Sequence, residues 1–165
     1  MPRRTVCLQR AECCTLPDLL AVLAKSDSVH LEYDVDGNNF VSAGQATEKV
    51  KFCLKGMGID AYDIRRLAIA MYEGEINMVI HANGGKAIVD IYVDRIVVRL
   101  VDTGKGIADI NKAMQPGFST APEEIRDLGF GAGMGLPNML KNTDEFDIKS
   151  TVGVGTDITM VVRFK

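Results

Sequence analysis

Glu73-Gly74-Glu75-Ile76-Asn77-Met78-Val79-Ile80-His81 lies within a run, Asp60 to Ala82, whose apolar residues recur at helical spacing. At roughly 100° per residue from Glu73, Arg66 falls at about 20°, Asn77 at about 40°, Ala70 at about 60° and His81 at about 80°. Ile64, Leu67, Ile69, Met71, Tyr72, Ile76, Val79 and Ile80 fill the rest of the circumference. A helix this apolar must be largely buried. Glu73, Asn77 and His81 share its narrow polar stripe. A carboxylate one turn before a carboxamide has a definite chemical use: Glu can take a proton from, or orient, an attacking hydroxyl or water. Asn presents a neutral oxygen that suits Mg²⁺, a hard ion that keeps several waters. The same stripe also reads as the solvated face of a surface helix, and spacing alone does not separate the two. Glu75 falls at about 200°, in the apolar arc, where an unpaired carboxylate would cost on the order of several kcal/mol. Its expected partner is a Lys or Arg from another element, unless the helix is rotated or partner-covered there.

Working outward, Leu16 to Ala24 reads as a short helix with Thr15 as N-cap and Pro17 in its first turn. Val29 to Val35 alternates as a strand and ends in the turn Asp36-Gly37-Asn38-Asn39. Ser42 is the expected N-cap of a helix to Lys55, and Asp60 caps the long helix, which Asn83-Gly84-Gly85 ends. Lys86–Val93 and Ile96–Asp102 form a hairpin about Asp94-Arg95. A short helix is expected over Ile107–Met114 and an irregular stretch over 115–130. A helix then runs from near Gly133 to Asn142, followed by strands Phe146–Ser150 and Thr156–Phe164. Hairpin neighbours pair antiparallel, and three principal helices most simply cover one face. The expected fold is α+β: a two-layer sandwich with a mixed, mostly antiparallel sheet.

This arrangement occupies a chain of 165 residues, 47% hydrophobic and 25% charged. That length buries roughly 70% of the unfolded surface in one domain and leaves little room for two. A net charge of −3 without a Lys/Arg cluster argues against a nucleic-acid partner. The apolar run Leu19–Ala24 is far short of the ~20 residues a membrane helix needs. Gln9, Arg10 and Glu12 interrupt any secretory core after Met1-Pro2-Arg3-Arg4, so the expectation is cytoplasmic. Cys7, Cys13, Cys14 and Cys53 form no Cys-x-x-Cys pair and read as free thiols; a redox or metal role for Cys13-Cys14 is the alternative.

The sixteen glycines are unevenly placed, with none before residue 37. Strand Val97–Val101 leads into Asp102-Thr103-Gly104-Lys105-Gly106-Ile107, where an acid at a strand end can accept from an exocyclic amine such as adenine N6. The neighbouring glycines let backbone approach a flat ring. A tight turn with a helix cap explains the same residues. Leu128-Gly129-Phe130-Gly131-Ala132-Gly133-Met134-Gly135-Leu136 runs into a helix and suits an anion nest, or is a flexible loop. It lacks the Gly-Lys-Ser/Thr of a P-loop and the βαβ context of a dinucleotide fold. Thr151-Val152-Gly153-Val154-Gly155-Thr156 alone is a hairpin turn.

In this order the four segments resemble the motifs of the GHKL (Bergerat-fold) ATPase family over residues 29–165, leaving 1–28 as an extension of unassigned role. Within the family the chain looks closest to compact anti-sigma-factor serine/threonine kinases. The lid Pro116-Gly117-Phe118-Ser119-Thr120-Ala121-Pro122-Glu123-Glu124-Ile125-Arg126 resembles their short Phe-Thr-Thr-x-Pro lid ending in Arg. The chain also shows neither a transducer domain after the last strand nor the dimerisation helices of a sensor kinase. The resemblance implies ATP and Mg²⁺ as cofactors. It implies Glu73 as general base, Asn77 as metal ligand, and Asp102 on the adenine amine with Thr156 in support. Gly104, Gly106 and Ile107 would shape the base pocket, and Gly131, Gly133, Met134, Gly135 and Leu136 would cradle phosphates. Arg126 would reach the γ-phosphate, with Ser119 and Thr120 as further contacts. It also implies a protein partner, sigma-factor-like or anti-anti-sigma-like, and a homodimer by analogy. A nucleotide-gated binding module without phosphotransfer, or a histidine-kinase-type catalytic subunit, are the alternatives. Met78 stands where a small residue is usual, and Ser119 where close relatives have Thr.

Overall fold

The computed structural model describes residues 5–7, 28–37 and 39–165. Strands Thr5–Cys7 (β1), Ser28–Asp36 (β2), Gly84–Ile91 (β3), Arg95–Val101 (β4), Glu145–Thr151 (β5) and Gly155–Arg163 (β6) form one sheet. Its order is β1-β2-β3-β4-β6-β5. β1 runs parallel to β2, and every other pair is antiparallel. Helices Gln45–Gly56 (α1) and Ala61–Ala82 (α2) join β2 to β3, and Ile110–Ala113 (α3), Glu123–Asp127 (α4) and Gly135–Lys141 (α5) lie between β4 and β5. The expected two-layer α+β sandwich with a mostly antiparallel sheet is what the backbone forms. The short β1 was not foreseen. The helix expected at Leu16–Ala24 and the Cys13-Cys14 pair fall outside the described residues, and Cys53 is buried in the core.

Register explains the layering. Leu31 faces Val89, Val89 faces Val98, and Val98 faces Met160, all on the helix side and all essentially sealed from solvent. Period-2 alternation puts the intervening His30, Glu32, Asp90 and Arg99 on the opposite face. Helix α2 supplies Leu67, Ala70, Met71, Met78 and Val79 to the same core. Asp60 caps it by accepting from Tyr62 N at 2.8 Å, and Asn83 ends it with φ 54°, as the sequence indicates. Close approach to the sheet is set by Gly74. A Cβ there would lie 2.0 Å from Leu100 Cδ1 and 3.2 Å from Met139 Cε.

Three local expectations change. Ser42 belongs to a 3₁₀ turn, Phe40–Ser42, and its hydroxyl donates to Asn39 O; α1 starts at Gln45 after Gly44. Asp109 accepts from Lys112 N and delays α3 to Ile110, and a helical turn, α4, forms inside the expected irregular stretch. Gly133 has φ +75°, incompatible with a right-handed helix, so α5 begins only at Gly135.

Glu75 accounts for the first change. It is 1% exposed, and its carboxylate accepts from Gly44 N at 2.9 Å, Ala46 N at 3.3 Å and Thr47 N at 2.7 Å, as well as from the Thr47 hydroxyl. The partner is therefore the amide-rich start of α1 rather than a Lys or Arg. A long-range carboxylate does what an N-cap side chain does locally, and the helix dipole favours the charge. Replacing Glu75 by Ala should cost on the order of 3 kcal/mol, because it strands buried N–H donors. Urea denaturation of the wild type and Glu75→Ala checks this, and equal midpoints would refute it.

On the open face His30 Nδ1 lies 2.7 Å from Asp90 Oδ1, and Nε2 lies 3.3 Å from Glu32 Oε1, while Glu32 Oε2 pairs with Lys86. Burial lowers the imidazole pKa, but the hydrogen bonds and charges of Asp90 and Glu32 outweigh it, and the net shift is upward. A raised folded-state pKa stabilises fully below the unfolded value of about 6.5, and the gain is lost as pH rises through the folded value. The stability difference between wild type and His30→Gln should therefore shrink as pH climbs from about 6 to 8. Denaturation midpoints across that range read it directly.

Candidate functional site

The ends of β4 and β6, the polar stripe of α2 and the segment 105–136 enclose a cleft of about 890 Å³. Its floor comes from α2. Glu73 and Asn77 are half-buried, one turn apart, and converge on the start of α5. A Cβ on Gly135 would sit 3.2 Å from Asn77 Nδ2, 3.3 Å from Asn77 Oδ1 and 3.4 Å from Glu73 Oε2. Glu73 Oε1 is taken by Asn138, whose Nδ2 donates at 2.7 Å. His81 lines the same floor. Burial first, then the nearby Lys105 charge, hold its pKa below the ordinary value, with Asp102 opposing. Its Nδ1 is buried without a hydrogen-bond partner among the described residues.

Asp102 stands just past the end of β4. Its Oδ1 accepts from Gly104 N at 2.8 Å and Thr156 N at 3.2 Å, and its own N–H donates to Thr156 O at 2.9 Å. Half of the carboxylate is thus spent on holding the loop, and Oδ2 has no donor among the described residues. Thr156 Oγ1 meets Ser150 Oγ at 2.9 Å, and Ser150 Oγ accepts from Ile107 N at 2.8 Å. This network ties the first glycine segment to the β5–β6 hairpin.

The third wall is the loop from 115 to 134. Gly117 N donates to Gly133 O at 2.9 Å and closes its base. The Phe130 ring packs on Phe40, centroids 6.0 Å apart. Ser119, Thr120, Gly131, Gly133, Met134, Gly135 and Leu136 line the cleft, as do Asp102, Gly106, Ile107, Thr156, Glu73 and Asn77. Two expected residues do not. A Cβ on Gly104 would meet Ala82 Cβ at 2.5 Å, so its smallness seats the loop on the end of α2. Arg126 is exposed on α4, outside the lining, while Lys105 and Lys112 stand on the cleft wall. Ser119 Oγ already accepts from Ala121 N at 3.1 Å. The sequence reading missed Asn138; it sits in a helix with no periodic signal that points it at Glu73.

The donor set suits a nucleoside triphosphate with a divalent ion. Asn77 offers one neutral oxygen beside a carboxylate, as a magnesium ion held mostly by phosphates and water requires. Apolar walls flank Asp102, where a flat base can lie.

The model of the histidine kinase-like ATPase domain matches residues 39–162, and the chain belongs to that family. The domain is accordingly a nucleotide-binding one. An anti-sigma F factor of Caldanaerobacter subterraneus subsp. tengcongensis is 39% identical over 103 residues, 59% of this chain and 68% of that protein. The serine/threonine-protein kinase RsbT of Bacillus subtilis is 32% identical over 111 residues, 65% of this chain and 77% of that one. The fold is like that of a crystal structure of the RsbU and RsbW domains of a Mycobacterium tuberculosis protein, with a TM-score of 0.57 at 18% identity. That match covers 82% of this chain and 32% of the larger one, so this chain spans about a third of it. Among the described residues no helix is long and apolar enough to cross a membrane.

The glycine at 133 gives a direct test of the lid's base. Alanine there would place Cβ 2.4 Å from Gly117 C in a left-handed conformation. Beyond that clash, the conformation alone costs about 1–2 kcal/mol. Gly133→Ala should open the loop and raise its rate of limited proteolysis roughly tenfold, with the core's thermal midpoint little changed. An unchanged cleavage rate counts against this reading.

Proposed function

We propose that the chain is an anti-sigma-type protein serine/threonine kinase that transfers the γ-phosphoryl group of ATP to a partner protein. The observation that carries this is the convergence of Glu73, Asn77 and the glycine-rich turn at Gly135 in one cleft whose far end holds Asp102. The relatives named anti-sigma F factor and RsbT support the same reading. The ATP-binding unit is taken as residues 29–165, with 1–28 an extension of it. A cytoplasmic location and a homodimer follow from the same analogy.

The adenine amine donates to the free Oδ2 of Asp102, whose Oδ1 is anchored by backbone. Gly106 and Ile107 border the base. The backbone of 131–135 and the nearby Lys105 and Lys112 face the phosphates. Asn77 would hold Mg²⁺, which neutralises phosphate charge when bound. The acceptor Ser or Thr hydroxyl gives its proton to Glu73 as its oxygen bonds to the γ-phosphorus; the bond to the bridging oxygen breaks and ADP leaves. Arg126 lies outside the cleft, and this favours a second reading, a nucleotide-gated binding module that transfers nothing.

Calorimetry should show that Asp102→Asn loses most Mg-ATP affinity, roughly tenfold to a hundredfold. Glu73→Ala should keep binding and lower turnover by roughly 10²–10⁴. Equal turnover in wild type and Glu73→Ala would sink the assignment of Glu73 as the base, and Mg-ATP binding without turnover in the wild type would sink the kinase reading in favour of the binding module.

A further inference from the structure

We propose that Asn138 is a positioning residue for Glu73, acting from behind the cleft to hold the carboxylate in the orientation that proton transfer needs. The proposal rests on the reading of Glu73 as the base and adds the group that aims it. Asn138 does not itself line the cleft, so it acts through Glu73 rather than on a ligand.

A glutamate on a helix has three side-chain torsions, and its terminal one is broad. Something must choose which oxygen faces the reacting atoms. Here the Asn138 Nδ2 donates to Glu73 Oε1 at 2.7 Å. The other oxygen, Oε2, is left toward Gly135 and the Asn77 carboxamide, where the cleft wall runs. The assignment of the amide is chemically forced. An ionised carboxylate only accepts, so Asn138 presents its nitrogen. A carboxamide also has no ionisable proton of its own, so it can orient the base without exchanging with the proton that the base receives.

The donor is itself rigidly mounted. Leu136 and Met139, on either side of Asn138 in α5, are buried, Met139 completely. Met139 Cε comes within 3.2 Å of the point where Gly74 would carry a Cβ, so α5 packs directly on the turn of α2 that carries Glu73. The Asn138 N–H donates to Met134 O at 2.9 Å, and Asn142 N donates to the Asn138 carbonyl at 3.1 Å. With its backbone held at both ends and its neighbours anchored, the side chain is set against Glu73. A base whose orienting partner sits on a packed element is held more tightly than one on a loop.

The same geometry links the base to the lid. Asn138 lies one helical turn after Met134, and Gly133 closes the loop through Gly117. Displacing the segment 133–135 therefore moves the residue that aims Glu73. Alignment of the base and closure of the loop are properties of one short segment.

The test uses the full chain. Asn138→Leu removes the donor and keeps the branched shape, and it should leave the calorimetric Kd for Mg-ATP within about twofold while lowering kcat about tenfold or more. Asn138→Asp, nearly isosteric, puts a second carboxylate against Glu73 and should lose at least as much kcat. It serves if the leucine variant folds poorly. In ¹⁵N-labelled protein, Glu73→Gln should shift the Asn138 side-chain amide resonance and speed its hydrogen exchange, a signature that needs no turnover. An unmoved resonance overturns the contact. Full kcat in both Asn138 variants, with Glu73→Gln inactive, overturns the positioning role and leaves the base reading standing. Full kcat in Glu73→Gln overturns both.

Discussion

Helix α2 is enclosed on almost every side, and the rest of the molecule is arranged around that burial. The sheet takes one flank, where Gly74 lets the helix settle against Leu100. α5 takes another through Met139, and α1 a third. Such enclosure leaves no easy place for a carboxyl group, yet Glu75 is buried there. It is tolerated because four donors at the start of α1 converge on it. The buried carboxylate thereby joins two helices that the connecting loop alone would leave loosely related. Two residues earlier on the same helix, Glu73 points into the cleft. One turn of α2 thus supplies both an internal clamp and a chemical group.

The cleft shows how little of a functional residue need be free. Asp102 uses one carboxylate oxygen to pin its own loop and the β6 backbone, and keeps the other for a ligand. Glu73 divides its oxygens in the same way, one to Asn138 and one to the cleft. Each acid is oriented by the oxygen it gives up. The glycines also serve different ends. Gly133 supplies a backbone conformation that other residues resist, whereas Gly104 supplies only room beside Ala82. A cluster that looks uniform in the sequence is a set of separate steric solutions.

Elements whose signal is local were legible. The alternation of β2 to β6 and the apolar sweep of α2 follow from side-chain burial at period 2 and period 3.6, and Asp60 and Asn83 cap α2 as local chemistry indicates. Errors fell where a distant group replaced a local one. Ser42 is a good N-cap by type, but Glu75, 31 residues away from Gly44, satisfies the amides that Ser42 would have served. Arg126 ends a motif in the right order, yet α4 leaves it exposed outside the cleft. Asn138 carried no signal, since an asparagine in a short helix is common and its meaning depends on a residue 65 positions earlier.

By itself the sequence determined the fold class, the order of its elements apart from β1 and α4, and most of the segments that line the cleft, because hydrophobic period and glycine placement act over a few residues. Only the tertiary structure decided which oxygen of each acid is free, which helix caps which, and which cations reach the cleft. Those are matters of contact between groups far apart in the chain, and no local pattern encodes them.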